Sequence, residues 1–369
     1  MQTVYYRRIR EHDLQSFRSE PGSVSSRAIP QSRFLHDKSF SLRIADLEEL
    51  WERFADNPIL SNFADAAKGL DYEGALASPG ITYREDPFPG GHLGFVHLQR
   101  GVQLHQLPKF YWMNLDPSVI SSPRSGTVVG VPQVLINYGR ASRGPWRLKA
   151  LVDRQGHPVT SRFVPIRPKS SSYSVELLWA LLNSPIANAY MFSRSGKRDN
   201  IVGDIRKIPM PTLASFEVVE SLARAYLSAA ALPAASPTSL RNLLLQVDCE
   251  VLKLYSLPRA LEQSLLSLFK GWQRVGVPFK QERYLPQELE DHLRFSEFLE
   301  FEEDWSATNQ ERGILIDKSI AGALTLQEQR RLDALQIYAD YHVEQTAPRS
   351  ARALDDLERR LFLGSKSKD

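Results

Sequence analysis

"SVELLWALLNSPIANAY", residues 174–190, is the stretch on which the fold of this chain turns. Ser174 stands where an N-cap belongs, its hydroxyl placed to accept an orphan amide of the first turn. Glu176, also in the first turn, complements the positive end of the helix dipole. Leu177, Leu178, Trp179, Leu181 and Leu182 make the segment apolar nearly all round, so the pattern predicts a buried helix rather than a surface one. Pro185 lacks an N–H and crowds the preceding turn, so the helix must end at Asn183-Ser184. The chain then restarts and runs into the basic stretch "SRSGKRDN" at residues 193–200.

Just upstream, "WRLKALVD" (146–153) alternates, with Trp146, Leu148, Ala150 and Val152 on one side and Arg147 and Lys149 on the other. After the turn-like "RQGHP", "VTSRFVPIRP" offers a return strand, so residues 146–167 read as a β-hairpin. Residues 57–140 are rich in Gly and Pro, with short runs such as "GFVHLQRG" and "GVPQVLINYG", which predicts short strands and structured loops. Leu47, Leu50, Trp51 and Phe54 follow helical spacing, while residues 1–45 look like a basic, Ser-rich arm in which "AIPQSRF" is extended.

Downstream of "KIPMPTL" the character changes to helices, at 215–231 and 238–256 and within "LPRALEQSLLSLFKGW". Residues 287–304 hold eight carboxylates against one base, Arg294, which is the composition of a solvated acidic face. Two further helices turn near Gly322, the second opened by a Thr325/Glu328 capping box, and a short helix is expected over 350–362. The expected class is α+β: a mixed or antiparallel sheet domain followed by an α-helical C-terminal region. Its divisions are an arm at 1–45, a sheet domain at 46–213, a helical region with an acidic end at 214–304, and a helical hairpin at 305–369.

Net charge is only +3, yet Arg124–Lys207 carries 14 Lys and Arg against 4 Asp and Glu, a local balance of +10 that leaves −7 for the remainder. Such asymmetry is the footprint of a polyanion-binding module joined to something that does not bind polyanions. A single cysteine, Cys249, excludes an intramolecular disulfide framework and a cysteine-based zinc site, and fits a reducing cytoplasm. No stretch approaches the ~20 apolar residues of a bilayer span, and "MQTVYYRRIREHD" has no signal-peptide core, so a cytoplasmic protein without membrane partners is expected.

Catalytic machinery is not visible. Gly196-Lys197 lacks the spacing of a phosphate-binding loop, Gly-x-Ser-x-Gly does not occur, and His92, His97 and His105 lack metal-pair spacing, so no catalytic and no metal residue is assigned. Asn183-Ser184-Pro185-Ile186 comes near the Asn-Pro-Pro-Tyr motif of amino-methyltransferases. Ser replaces the first Pro, however, Ile replaces the aromatic that stacks on the target base, and no Gly-rich loop follows an upstream strand. The likeness is read as accidental.

A different resemblance has order and spacing behind it. Leu182-Asn183-Ser184-Pro185 ends the buried helix, Ser195-Gly196-Lys197-Arg198 forms a basic loop, and Ile208-Pro209-Met210-Pro211 closes the segment, all preceded by a pair of strands. This resembles the TaqI-like C-terminal specificity domain of adenine-specific DNA methyltransferases of restriction-modification systems, over roughly residues 55–213. The family's catalytic domain, which normally precedes it, has no counterpart here. The resemblance therefore implies a target-recognition module that binds double-stranded DNA, carries no cofactor of its own, and works with a catalytic methyltransferase subunit that holds S-adenosylmethionine. The candidate DNA contacts are Arg140, Arg143, Arg147, Lys149 and Arg162 around the hairpin, with Lys197 and Arg198 in the loop after the helix. Tyr138, Trp146 and Tyr190 are candidates to stack or wedge, against a core role. The helices after 214 are expected to dock the partner. Two alternatives stand beside this reading: a cryptic nuclease or methylase subunit, and a protein-interaction scaffold of a phage-defence operon.

Overall fold

The computed structural model describes residues 2–7, 9, 14–24, 26–32, 34, 47–74, 80–194, 199–212 and 215–346. Two units divide the chain, Met1–Glu48 and Glu49–Asp369. In the first, β1 (Thr3–Arg7) pairs antiparallel with β2 (Ser26–Pro30), Thr3 opposite Pro30 and Arg7 opposite Ser26, with α1 (Leu14–Ser19) in the connection. The expected extended segment "AIPQSRF" thus begins inside β2, with Pro30 at its last position, where a missing N–H harms the ladder least.

The second unit begins within α2 (Glu48–Arg53), whose Leu50 and Trp51 are buried as the spacing predicts, and continues with α3 (Leu60–Phe63). Among the described residues nine short strands follow: β3 (Ala64–Ala66), β4 (Asp71–Tyr72), β5 (Tyr83–Arg84), β6 (Gly91–Gly94), β7 (Tyr111–Asn114), β8 (Ile120–Ser122), β9 (Gln133–Asn137), β10 (Ala150–Asp153) and β11 (Phe163–Pro168). They build three antiparallel sheets, ordered β10-β9-β11-β3, β4-β8 and β5-β7-β6. The class is α+β, with open antiparallel sheets.

The hairpin expected at 146–167 does not form. β10 and β11 are both present, but each pairs with β9, which lies between them. All five residues of β9 are buried, and such a strand needs cover on both faces and both edges, so it takes the centre. The turn after β10 is locked by Asp153. Its carboxylate accepts from the Gly156 and His157 amides (3.1 and 2.7 Å), from His157 Nδ1 (2.8 Å) and from Gln133 Nε2 (2.8 Å). The chain then crosses by way of Val159 and Thr160, which bridge to Phe95 and Leu70 rather than to β10.

One face of this sheet packs Leu135, Leu151 and Phe163 on Phe95, Val102 and Val159. Against the other lies α4 (Val175–Asn183), every residue of which is buried. Ser174 caps it as expected, accepting from the Leu177 amide at 3.1 Å, and Glu176 pairs with Arg154 at 2.7 Å. Beyond α4 come α5 (Pro185–Arg194), α6 (Val202–Ile205), α7 (Glu217–Ala230), α8 (Pro237–Leu254), α9 (Arg259–Ser267), α10 (Phe295–Glu303), α11 (Trp305–Ile320) and α12 (Leu326–Thr346). α7 and α8 cover the side of α4 turned from the sheet, and Trp179 stacks on Tyr226 with ring centroids 5.4 Å apart. The Thr325/Glu328 capping box forms with reciprocal bonds of 3.2 and 2.9 Å. The helix expected over 350–362 lies outside the described residues. Among the described residues no helix is long and apolar enough to cross a membrane.

Candidate nucleic-acid interface

The Asn-Ser-Pro junction answers the question its sequence raises. Ser184 Oγ donates to Leu181 O (2.6 Å) and accepts from the Ala187 amide (3.3 Å), ending α4 and starting α5 in one residue. Asn183 turns its amide onto β10, donating to Ala150 O and accepting from Ala150 N, both at 3.0 Å. It does the work of a neighbouring strand at the outer edge of the sheet, an edge that would otherwise carry unpaired polar groups. Asn188 accepts from the Leu148 amide at 2.8 Å, and Asn137 accepts from the Lys149 amide at 2.6 Å and donates to Arg147 O at 2.9 Å. The amides of Leu148, Lys149 and Ala150 and the carbonyls of Arg147 and Ala150 are therefore satisfied by buried asparagines, which is why an alternating run is not a strand over its first half.

The same asparagines fix the end of the sheet at which the basic residues gather. Asn200 donates to Asn137 O (3.0 Å) and Arg147 O (3.3 Å), while its own amide donates to Tyr138 O at 2.7 Å. The Tyr138 amide donates to Arg162 O at 2.9 Å, and Gly139 bridges to Asp199. Residues 137–143, 161–162 and 199–200 thus converge at one edge, where Arg140, Arg143 and Arg162 are exposed. Lys68, arriving from a distant part of the chain, sets its ammonium 4.2 Å from the centre of the Tyr138 ring. His97 lies within the field of Arg162, and the covering of part of its ring first, then that cation, hold its imidazole below the ordinary value of 6.5.

The loop carrying Arg140 and Arg143 is held from the helical side. A β-carbon on Gly144 would come within 2.3 Å of the Trp272 ring, so only glycine lets the loop lie there. Trp146 donates from Nε1 to Trp272 O (3.2 Å), packs on Phe269 at 4.3 Å and lies under the Arg274 guanidinium at 4.6 Å. Arg274 is wholly buried, paired with Asp248, and donates to Asn183 O at 2.9 Å. Tyr284 donates to the same carboxylate at 2.7 Å. Burial raises the Asp248 carboxyl above the usual range, and Arg274 opposes that rise.

Two of the seven expected contacts need correction. Arg147 and Lys149 are only 2% and 5% exposed, so neither reaches a phosphate in this structure. The Lys149 ammonium donates to Val102 O (2.6 Å) and Arg100 O (3.3 Å), and burial lowers its pKa. Alternation placed these side chains opposite Trp146 and Leu148, but both sides of the segment face protein. Arg140, Arg143 and Arg162 are exposed, on segments joined where the Tyr138 amide bonds Arg162 O, and Lys197 and Arg198 lie outside the described residues. Of the aromatics, Tyr138 is half-buried under Lys68, Trp146 is core, and Tyr190 is buried edge-on against Trp51 at 5.3 Å. Lys68 and His97 escaped the sequence reading because they lie far upstream of the basic run.

The chemistry on offer at this edge is positive charge on a hydrogen-bonded backbone. The Asp153–His157 pair has the look of an acid–base dyad, but the carboxylate is fully buried and its oxygens are committed to the turn. Among the described residues no group of three or more His, Cys, Asp or Glu could hold a metal ion.

No family model matches the chain, and no curated protein matches it. Among solved structures, the Type IIL restriction-modification enzyme MmeI in complex with DNA is a distant neighbour, with a TM-score of 0.42 and 13% identity. The match covers 58% of this chain and 36% of that one, so the chain spans about a third of that enzyme.

Proposed function

We propose that the chain is a DNA target-recognition module that works with a catalytic methyltransferase subunit. The observation that carries this reading is that Arg140, Arg143 and Arg162 are exposed on segments joined through the Tyr138–Arg162 backbone bond, with Lys68 over the Tyr138 ring and buried asparagines bonding the backbone beneath. Arginines held on an ordered backbone suit both tasks of a recognition module: ion pairs to phosphates, which position, and forked bonds to guanine O6 and N7, which specify. The order of motifs from the buried helix to Ile208-Pro209-Met210-Pro211 supports the restriction-modification setting and an adenine target. Methyl transfer and S-adenosylmethionine belong, in this reading, to the partner.

Selection of bound duplexes from a random pool tests it. The wild-type chain should enrich a defined site, and truncating an arginine that reads a base should cost about 1–3 kcal/mol at that site and relax preference at one position. Arg143→Ala is the first variant to try. A pool that emerges unenriched would rule out sequence-specific recognition.

A further inference from the structure

The basic edge does not stop at Arg162. His97 lies beside it, and its Nε2 is 3.3 Å from the Tyr83 hydroxyl. Tyr83 meets His97 and Tyr111 edge-on, with centroids 5.7 and 5.3 Å apart, and His97 and Tyr111 are themselves near perpendicular at 6.2 Å. Lys109 then places its ammonium 5.4 Å from the Tyr111 ring centre. The inner sides of Tyr83 and Tyr111 rest on Leu70, Val96 and Met113, which fixes the rings, while both remain half-exposed and His97 and Lys109 are exposed. Cation and ring therefore alternate along the surface, from Lys68 on Tyr138, through Arg162, to Lys109 on Tyr111.

Bases in a duplex are stacked on each other and show a protein only their edges. Rings backed by a hydrophobic cluster and interleaved with cations match a different ligand, in which the base face is free and the phosphates lie close by. We propose that the surface from Tyr138 through Arg162, His97 and Tyr83 to Tyr111 and Lys109 binds unpaired nucleotides contiguous with the duplex held at the sheet edge. This rests on the proposed DNA-binding function and adds a second substrate form to it. No two of these rings are stacked face to face, and the lysines capping Tyr138 and Tyr111 can swing from ring to phosphate as a base arrives. The Lys109–Glu85 ion pair, 2.6 Å long, is exposed on both sides, so releasing it costs little.

The test uses the full chain and two fluorescent probes, an intact duplex and the same duplex with a central bulge of unpaired nucleotides containing 2-aminopurine. The bulged probe should bind on the order of tenfold more tightly, the gain of one stacked base, and its 2-aminopurine emission should fall on binding. Tyr111→Leu keeps an apolar side chain on the cluster but removes the ring, and Lys109→Ala is a surface change. Each should reduce the preference for the bulge while leaving affinity for the intact duplex within about twofold. Equal affinity of the wild-type chain for the two probes would overturn the proposal while leaving duplex recognition standing. So would a bulge preference unchanged in both variants. Failure to bind either probe would refute the proposed function and this extension together.

Discussion

Asn183→Leu removes the side chain that gives the Asn-Ser-Pro junction its meaning. In the native structure the Asn183 amide satisfies both the N–H and the C=O of Ala150, in a site where Asn183 is 3% and Ala150 0% exposed. Leucine fills a similar volume but bonds neither group. Each buried group left without a partner costs about 1–3 kcal/mol, and the extra apolar contact of leucine returns part of that. A net loss of roughly 3 kcal/mol follows, large against the ~5–15 kcal/mol by which folded domains are stable. Urea unfolding followed by tryptophan fluorescence reads it directly. A loss below about 0.5 kcal/mol, the level of an ordinary surface change, would refute the clamp. Retained stability with lost function would instead point to Asn183 as an active-site residue.

Lys149→Met should alter stability through the lost bonds to Val102 O and Arg100 O, while duplex affinity at matched folded concentration stays unchanged; anisotropy alongside urea melts separates the two. Deleting residues 214–369 should leave a fragment that is expanded or insoluble, since it uncovers Trp179, strips Arg274 from Asn183 O and takes the Tyr255 hydroxyl from Pro209 O; circular dichroism and gel filtration would show it. Burial pushes the Cys249 thiol up to about 12, so at pH 8 a thiol reagent should label the native chain far more slowly than the urea-unfolded chain, a contrast measurable by absorbance.

Where a local rule and burial agreed, the sequence was enough. Ser174, Pro185 and the leucines between them specify a capped, buried helix that ends where it does, and Thr325 with Glu328 specifies a helix start. The pairing of β10 and β11 was not legible, because adjacency in the chain favours a hairpin while the centre of the sheet goes to the strand buried along its whole length, and β9 precedes both. Arg147 and Lys149 misled for a related reason. Alternation reports two faces, and says nothing of whether the second face meets water or the carbonyls of residues 100–102. The rest of the edge was half visible: the arginines stood in the basic run, whereas Lys68 and His97 join them only through the tertiary fold.

The most direct test of the account is the salt dependence of duplex binding, measured for the wild-type chain and for the combined variant Arg140→Ala, Arg143→Ala and Arg162→Ala. If about five phosphates are neutralised, log affinity should fall against log salt with a slope of roughly −4 to −5, since each released counterion contributes about −0.9. In the triple variant the slope should shrink by about 2–3. Binding without a salt slope, or a slope that survives loss of all three arginines, would contradict the placement of DNA on this edge.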